Sequence, residues 1–74
     1  MIKHTLYEAG CSVCLEAANE FTNLIPELEI VRLKQGDADI LKLESLGVKS
    51  VPVLISNTGK IFHLNFGAAL DALK

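Results

Sequence analysis

The stretch EAGCSVCLEAANEF, residues 8–21, contains both cysteines of the chain, Cys11 and Cys14, separated by two residues. Gly10 stands directly before the first cysteine, where a turn is expected. From Cys14 onward, apolar residues recur at the spacing of one helix face, with acidic and amide side chains between them. The residues before the stretch, IKHTLY, are rich in β-forming types. The stretch therefore predicts a junction at which a strand ends and a helix begins, with both thiols at that junction.

The rest of the chain extends this pattern into an alternation of strands and helices. In order, we expect a strand at Ile2–Tyr7, a helix that starts around Ser12 and is stopped by Pro26, a strand at Leu28–Leu33, a short helix after Asp37, a strand at Val51–Ser56, a hairpin loop at Asn57–Lys60, a strand at Ile61–Asn65 and a closing helix at Gly67–Lys74. The β-α-β-α-β-β-α order predicts an α/β fold with a four-stranded mixed sheet and helices on both faces. Its first two strands should be parallel, with a right-handed crossover.

Several local signals refine this prediction. Leu28–Leu33 has little polar alternation, which is typical of a strand that is covered on both faces. Asp37 is the expected N-cap of the second helix, and Gly47 follows that helix where a terminating glycine belongs. The apolar face of the second helix is predicted to consist of Ile40, Leu41, Leu43 and Leu46.

Composition limits the classes of function. The chain is expected to form a single domain over residues 1–74, with an aliphatic core because it contains no tryptophan and few other aromatic residues. The net charge of −2 is spread without a basic block, which argues against nucleic-acid binding. No apolar run approaches the roughly 20 residues that span a bilayer, and MIKHTLYEAG lacks the apolar region of a secretory signal. We therefore expect a cytoplasmic protein, in which a structural disulfide would be unusual.

A cysteine pair at the start of a helix has a specific chemical capacity. Unpaired N–H groups and the helix dipole favour a thiolate at Cys11, and the thiolate is the nucleophilic form of cysteine. The two-residue spacing brings Cys14 within reach of a mixed disulfide formed on Cys11. The pair therefore predicts an attacking thiol and a resolving thiol.

Other roles for the two cysteines remain open from the sequence. A metal site needs about four ligands, which His4 and His63 would complete, but both histidines lie in predicted strands and no second cysteine pair follows. A metal or iron–sulfur cluster shared across a dimer, inert thiols and a structural disulfide are further alternatives. We favour the redox pair and expect no metal in the monomer.

Together, CSVC between a strand and a helix and KSVPVL at a later strand resemble the thioredoxin fold in its compact, glutaredoxin-like form. The resemblance implies a cis proline at Pro52, facing the cysteines, with the backbone of Val51 available to an extended substrate. Lys49 matches a basic residue of the family's pattern, and Gly67 matches one of its glycines. The resemblance thus implies a substrate-binding set of Lys49, Val51, Pro52 and Gly67 beside the catalytic Cys11 and Cys14.

The chain also departs from the glutaredoxin pattern at several positions. Ser12 and Val13 stand between the cysteines in place of proline and tyrosine, and Glu8 stands where a basic residue is common. We expect Glu8 to be a solvated loop charge. The acidic residues that follow the family's paired glycines are missing after Phe66 and Gly67. Phe66 is a candidate contact for a partner chain, including a second copy of this one.

These observations predict a thiol–disulfide oxidoreductase or electron carrier with no bound cofactor. Its expected partners are a disulfide-bearing protein or small molecule and an upstream reductant, either a reductase or glutathione; a homodimer is a further expectation. The alternative is a non-catalytic binding module of the same fold, which holds a partner protein, a metal or an iron–sulfur cluster at a dimer interface. Substrate and reductant are not encoded in a recognisable motif.

Overall fold

The computed structural model describes residues 4–74, with the backbone alone at Asn65, so the predicted strand residues Ile2 and Lys3 lie outside the described part. The elements, in chain order, are β1 (Thr5–Glu8), α1 (Ser12–Leu24), β2 (Glu29–Arg32), α2 (Ala38–Ser45), β3 (Ser50–Ile55), β4 (Ile61–Ala69) and a short 3₁₀ helix (Leu70–Leu73). The strands form one sheet in the order β2-β1-β3-β4. β1 is parallel to β2, while β3 is antiparallel to both β1 and β4. The predicted four-stranded mixed sheet is confirmed.

Local interactions determine where helix α1 begins and where it ends. Cys11 has extended backbone dihedral angles and serves as the N-cap residue. At the other end, the N–H of Ile25 donates to the carbonyl of Phe21, and Pro26 follows directly. Because the residue before a proline disfavours the helical region, the helix cannot continue. The predicted start near Ser12 and stop before Pro26 are therefore confirmed.

The face of the sheet that carries Tyr7 and Val53 packs against α2. These two residues are register partners on β1 and β3, and they share the main core cluster with Ile40 and Leu43 of α2. Leu43 is fully buried. Most of this cluster is aliphatic, as the composition predicts. Burial of a side chain of this size contributes about 1.5–3 kcal/mol to the free energy of folding.

The opposite face packs against α1. Leu6 and Leu54 are register partners and, since side chains alternate along a strand, they lie on the other side of the sheet from Tyr7. Helix α1 contacts β1, β3 and β4, and its Ala17 lines a groove together with Pro52, which shares the Leu54 face. Helices thus cover both faces.

The predicted ends of helix α2 are confirmed, but only half of the residues predicted for its apolar face are buried. Asp37 accepts the N–H of Asp39 at 3.0 Å, and Gly47, the residue after the C-cap, has a φ of 88°. Leu41 and Leu46 are 69% and 48% exposed, so their prediction as core-facing residues is wrong. An eight-residue helix buries only a narrow stripe, and here Ile40 and Leu43 occupy it.

Strand β2 corrects a second prediction. It lies at the edge of the sheet, and its side chains are exposed or half-buried; Ile30 is 43% exposed. The apolar run at Leu28–Leu33 therefore does not mark a strand covered on both faces. The buried residue of that run is Leu33, which lies after the strand and packs into the core cluster.

The end of the chain differs from the predicted closing helix at Gly67–Lys74. β4 continues past the predicted Asn65 to Ala69, because Ala68 and Ala69 are register partners of Val51 and Ser50. Only a 3₁₀ helix follows, and the N–H of its first residue, Leu70, donates to the carbonyl of Lys49. Tertiary pairing thus overrides the helical preference of an alanine- and leucine-rich segment. In the described part of the chain, neither helix has the length and hydropathy needed to cross a membrane.

Candidate active site

Cys11 lies at the junction between β1 and α1, and its sulfur caps the helix. The N–H of Cys14 donates to Cys11 Sγ at 3.2 Å. A sulfur in this position faces the N–H groups of the first helical turn, which have no partner within the helix. Cys11 is also partly exposed, so an external disulfide can reach it. Cys11, the predicted attacking thiol, is therefore the more accessible of the two cysteines.

Cys14 sits one turn below, fully buried, and is a free thiol like Cys11. The Cys11 thiol donates to Cys14 Sγ at 2.8 Å, and the N–H of Ala9 donates to the same sulfur at 3.4 Å. Burial raises the pKa of the Cys14 thiol and the hydrogen bond with Cys11 raises this pKa further, whereas the N–H of Ala9 acts in the opposite direction. The second thiol is thus held protonated within reach of the first.

The predicted cis peptide bond is present between Val51 and Pro52. Pro52 has no N–H for a sheet ladder, and the ladder between β3 and β4 is irregular at this point. Val53 pairs with His63, but Val51 pairs with Ala68, so a step of two residues on β3 faces a step of five on β4. The extra residues of β4 form a bulge beside the cysteines.

Gly67 lies in that bulge, directly against the attacking sulfur. A Cβ atom at this position would lie 2.6 Å from Cys11 Sγ, 2.9 Å from the carbonyl oxygen of Val51 and 3.0 Å from Cδ of Pro52. Its φ is not positive, so the residue is small for lack of space rather than for backbone freedom. The structure thus brings five of the predicted site residues together: Cys11, Cys14, Val51, Pro52 and Gly67.

The predicted contacts differ in what they offer to a ligand. Val51 is fully buried, so only its backbone is available to a substrate. Lys49 is exposed, and its described hydrogen bond is the backbone one with Leu70. Phe66, next to Gly67, exposes 68% of its surface. The ring of Phe66 is thus accessible to a ligand or a partner chain.

Glu8 contradicts the prediction of a solvated loop charge. It is the last residue of β1 and only 1% exposed. Its carboxylate accepts the Nε–H of Arg32 at 2.8 Å and the N–H of Gly10 at 2.7 Å. A carboxylate can be buried in this way because an opposite charge and a backbone donor replace its hydration. The prediction failed because the partner Arg32 lies on another strand, far away in sequence.

Two features near the cysteines have no counterpart in the sequence analysis. Arg32 was not singled out, although the parallel register pairs it directly with Glu8. A groove of about 400 Å³ also runs from the cysteine helix along β4; it is lined by Val13, Glu16, Ala17, Glu20, Phe21, Pro52, His63 and Leu64. An alignment of β1 with β2 at their last residues would have identified Arg32 as the partner of Glu8.

The histidines lie outside this arrangement of thiols. His4 Nδ1 accepts the N–H of Asn57 at 3.1 Å, at the β3–β4 hairpin. His63 lies on β4 and lines the groove. Over residues 4–74, no three side chains of His, Cys, Asp or Glu are grouped closely enough to hold a metal ion.

Comparison with known proteins places this arrangement in a family. No protein-family model matches the chain, and no curated protein matches it. Among solved structures, the chain is similar to a dimeric thioredoxin-like protein from Nitrosomonas europea, determined by solution NMR. The two share 45% identity over 97% of this chain and 94% of the other, with a TM-score of 0.79. The chain belongs to the thioredoxin-like superfamily. The predicted thioredoxin-like fold is thereby confirmed, and the cysteine pair lies at the junction between strand and helix from which the resemblance was inferred.

Proposed function

We propose that this thioredoxin-like protein is a thiol–disulfide oxidoreductase, with Cys11 as the attacking thiol and Cys14 as the resolving thiol. The observation that carries the proposal is the pair itself. A partly exposed sulfur caps α1, and a buried, free thiol lies 2.8 Å from it. A disulfide bond is about 2.05 Å long, so the pair can close with a small movement of either side chain.

The reaction follows from the two positions. The Cys11 thiolate attacks one sulfur of a substrate disulfide and forms a mixed disulfide, and the first substrate thiolate leaves. Cys14 then loses its proton and attacks Cys11 Sγ, which releases the second substrate thiolate. The substrate disulfide gains two electrons and the protein is left with a Cys11–Cys14 disulfide. The dithiol of a reductase, or two molecules of glutathione, must then return those two electrons.

The surroundings of Cys11 support a substrate that approaches from the bulge. Gly67 places no side chain over the sulfur, and the backbone oxygen of Val51 lies beside the same point. We propose that an extended segment of the substrate contacts Val51, Pro52 and Gly67, with Lys49 as a more distant contact. A role in cytoplasmic electron transfer without a bound cofactor belongs to the same proposal.

Substitution of Cys14 by serine tests the mechanism. The Cys14→Ser variant keeps the attacking thiol but cannot resolve the mixed disulfide, so it should accumulate stable adducts with a disulfide substrate such as insulin. The matched control is Cys11→Ser, which should form none. A binding module of the same fold would trap nothing in either variant and would lose its ligand instead. Adducts with neither variant, or equally with both, would contradict the assigned roles.

We also propose that the protein forms a homodimer. The related protein from Nitrosomonas europea is described as dimeric, and this chain exposes several large apolar side chains for its size, among them Leu24, Leu41 and Phe66. Sedimentation equilibrium over a range of concentrations should give about twice the monomer mass of 8.0 kDa. A single species at the monomer mass up to millimolar concentration would exclude the dimer.

A further inference from the structure

Glu8 is the one buried charged residue in the described part of the chain, and its contacts lead to the cysteine loop. Its two carboxylate oxygens lie 2.8 and 3.2 Å from Nε of Arg32. One of them also accepts the N–H of Gly10 at 2.7 Å. This carboxylate thus holds a cation and a backbone donor at the same time. Hydrogen bonds to charged groups are about twice as strong as neutral ones, so both contacts restrain the loop.

Arg32 contacts the same loop. The parallel register of β1 and β2 makes Arg32 the partner of Glu8, and its side chain remains 60% exposed. Its Nε and Cζ atoms lie 3.5 Å from the point that a Cβ atom of Gly10 would occupy. The guanidinium group therefore lies against Gly10, and any side chain there would meet it.

The restrained loop leads directly into the attacking thiol. Gly10 has a φ of 81°, a conformation that favours glycine, and Cys11 follows it as the helix N-cap. Two of the three N–H groups between strand and helix are engaged by side chains: that of Ala9 by the sulfur of Cys14, and that of Gly10 by Glu8. The position of Cys11 therefore depends on the carboxylate that holds the preceding residue.

We propose that Glu8 and Arg32 are positioning residues for the Cys11 thiol. Glu8 fixes Gly10, and Arg32 neutralises Glu8, so that Cys11 is presented beside a pair without net charge. The inference rests on the proposed function only in treating Cys11 as the reactive thiol. It assigns a role to two residues whose combination the sequence did not reveal.

The two halves of the pair have opposite electrostatic effects on a neighbouring thiolate. Removal of the Arg32 charge leaves a buried carboxylate near Cys11, which disfavours the thiolate. Removal of the Glu8 charge leaves an unneutralised guanidinium group near Cys11, which favours the thiolate. Glutamine at position 8 still offers an oxygen to Gly10, so Glu8→Gln separates the charge from the hydrogen bond.

The experiment measures alkylation of Cys11 by iodoacetamide in the fully reduced protein at one pH, with the modified cysteine identified by mass. The variants are Arg32→Gln, Glu8→Gln, the double Glu8→Gln/Arg32→Gln and the conservative Arg32→Lys. The matched control is Glu44→Gln, which breaks the described ion pair between Glu44 and Lys74. Unfolding by urea is followed for every variant.

We expect Arg32→Gln to react about three- to tenfold more slowly than the parent protein and Glu8→Gln to react faster by a similar factor, as for residues coupled in one network. The double variant should return to within about twofold of the parent rate, Arg32→Lys should retain most of it, and Glu44→Gln should not change it. If both single variants react more slowly, in step with their loss of stability, the role is purely structural and the proposal is overturned. Equal rates in all variants would also overturn it.

Two further results keep the test decisive. If Arg32→Gln does not fold, Glu8→Gln alone decides, because a rate at or below the parent rate contradicts the proposal. Alkylation reports on the thiol itself and needs no turnover. If the protein reduces no disulfide, the proposed function is therefore refuted, but the alkylation result can still be interpreted.

Discussion

Of the substitutions that add a single methyl group, Gly67→Ala should disturb the site most. A Cβ atom there would lie 2.6 Å from Cys11 Sγ, 2.9 Å from the oxygen of Val51 and 3.0 Å from Cδ of Pro52. Unstrained contacts between nonbonded heavy atoms are about 3.5–4.0 Å, so the overlap with the sulfur is about 1 Å. The thiol can rotate away, but the backbone oxygen and the proline ring cannot.

The cost of this overlap can be placed within a range. Added atoms in a well-packed region typically destabilise a protein by about 1–3 kcal/mol. The reduced Cys11 thiol can rotate away from the added methyl group, whereas a Cys11 sulfur bonded to Cys14 cannot, so part of that cost should fall on the disulfide form. We expect Gly67→Ala to lower the equilibrium constant for closing the Cys11–Cys14 disulfide by roughly tenfold, since 1.4 kcal/mol corresponds to that factor.

The assay is a glutathione redox equilibrium of the variant and the parent, with urea unfolding of both reduced proteins. Gly59→Ala is the matched control. Gly59 has a φ of 88° in the β3–β4 hairpin and no atom within 4 Å of a potential Cβ, so alanine there strains the backbone without touching a thiol. Both variants should be less stable, but only Gly67→Ala should change the disulfide equilibrium. A parental equilibrium constant in Gly67→Ala would refute the close contact as the reason for glycine.

Two further predictions concern stability. Asp37→Ala should lower the melting temperature by a few degrees, because the helix α2 loses its N-cap acceptor. Since the backbone N–H of Asp39 holds the pKa of Asp37 below its usual range, this stabilisation should be full at neutral pH and lost as pH falls through the folded-state pKa; melting curves of both proteins between pH 7 and 2 that stay equally far apart would contradict it. Burial raises the pKa of Cys14, so the folded, reduced protein keeps a proton that the unfolded chain loses above about pH 8.5. Its stability should therefore fall as pH rises through the thiol range, and Cys14→Ser, measured by urea unfolding from pH 7 to 10, should show a smaller fall; an equal fall would assign the effect to another group.

The junction between β1 and α1 could be predicted because its signals are local. The helical period starts directly after Cys11, Gly10 supplies the turn and Pro26 ends the helix. The thiol positions follow from those few residues without knowledge of the rest of the fold. The cis peptide bond before Pro52 follows from no local preference of the sequence; only the resemblance implied it.

The buried charge at Glu8 could not be predicted in the same way. Its burial depends on Arg32, which is 24 positions away and becomes its partner only through the register of two parallel strands. A carboxylate next to a turn is solvated in most proteins. Only the sheet order, with β2 beside β1, supplies the cation that makes burial tolerable.

The prediction of a helix in the C-terminal segment is wrong for a related reason. GAALDALK is rich in good helix formers, and local propensity predicts a helix. In the fold, Ala68 and Ala69 pair with β3, and Leu70 is buried in the core. These long-range contacts outweigh a propensity difference of less than about 1 kcal/mol per residue. The same extension of β4 carries Gly67 to Cys11.

The most direct test of the central claim is a redox titration of the purified, metal-free protein, in which the state of Cys11 and Cys14 is read by thiol alkylation and mass. A working exchange pair should show one reversible two-electron transition between about −180 and −270 mV. A transition below about −300 mV would identify a structural disulfide instead. The absence of any intramolecular disulfide would equally contradict the assignment of the pair as an attacking and a resolving thiol.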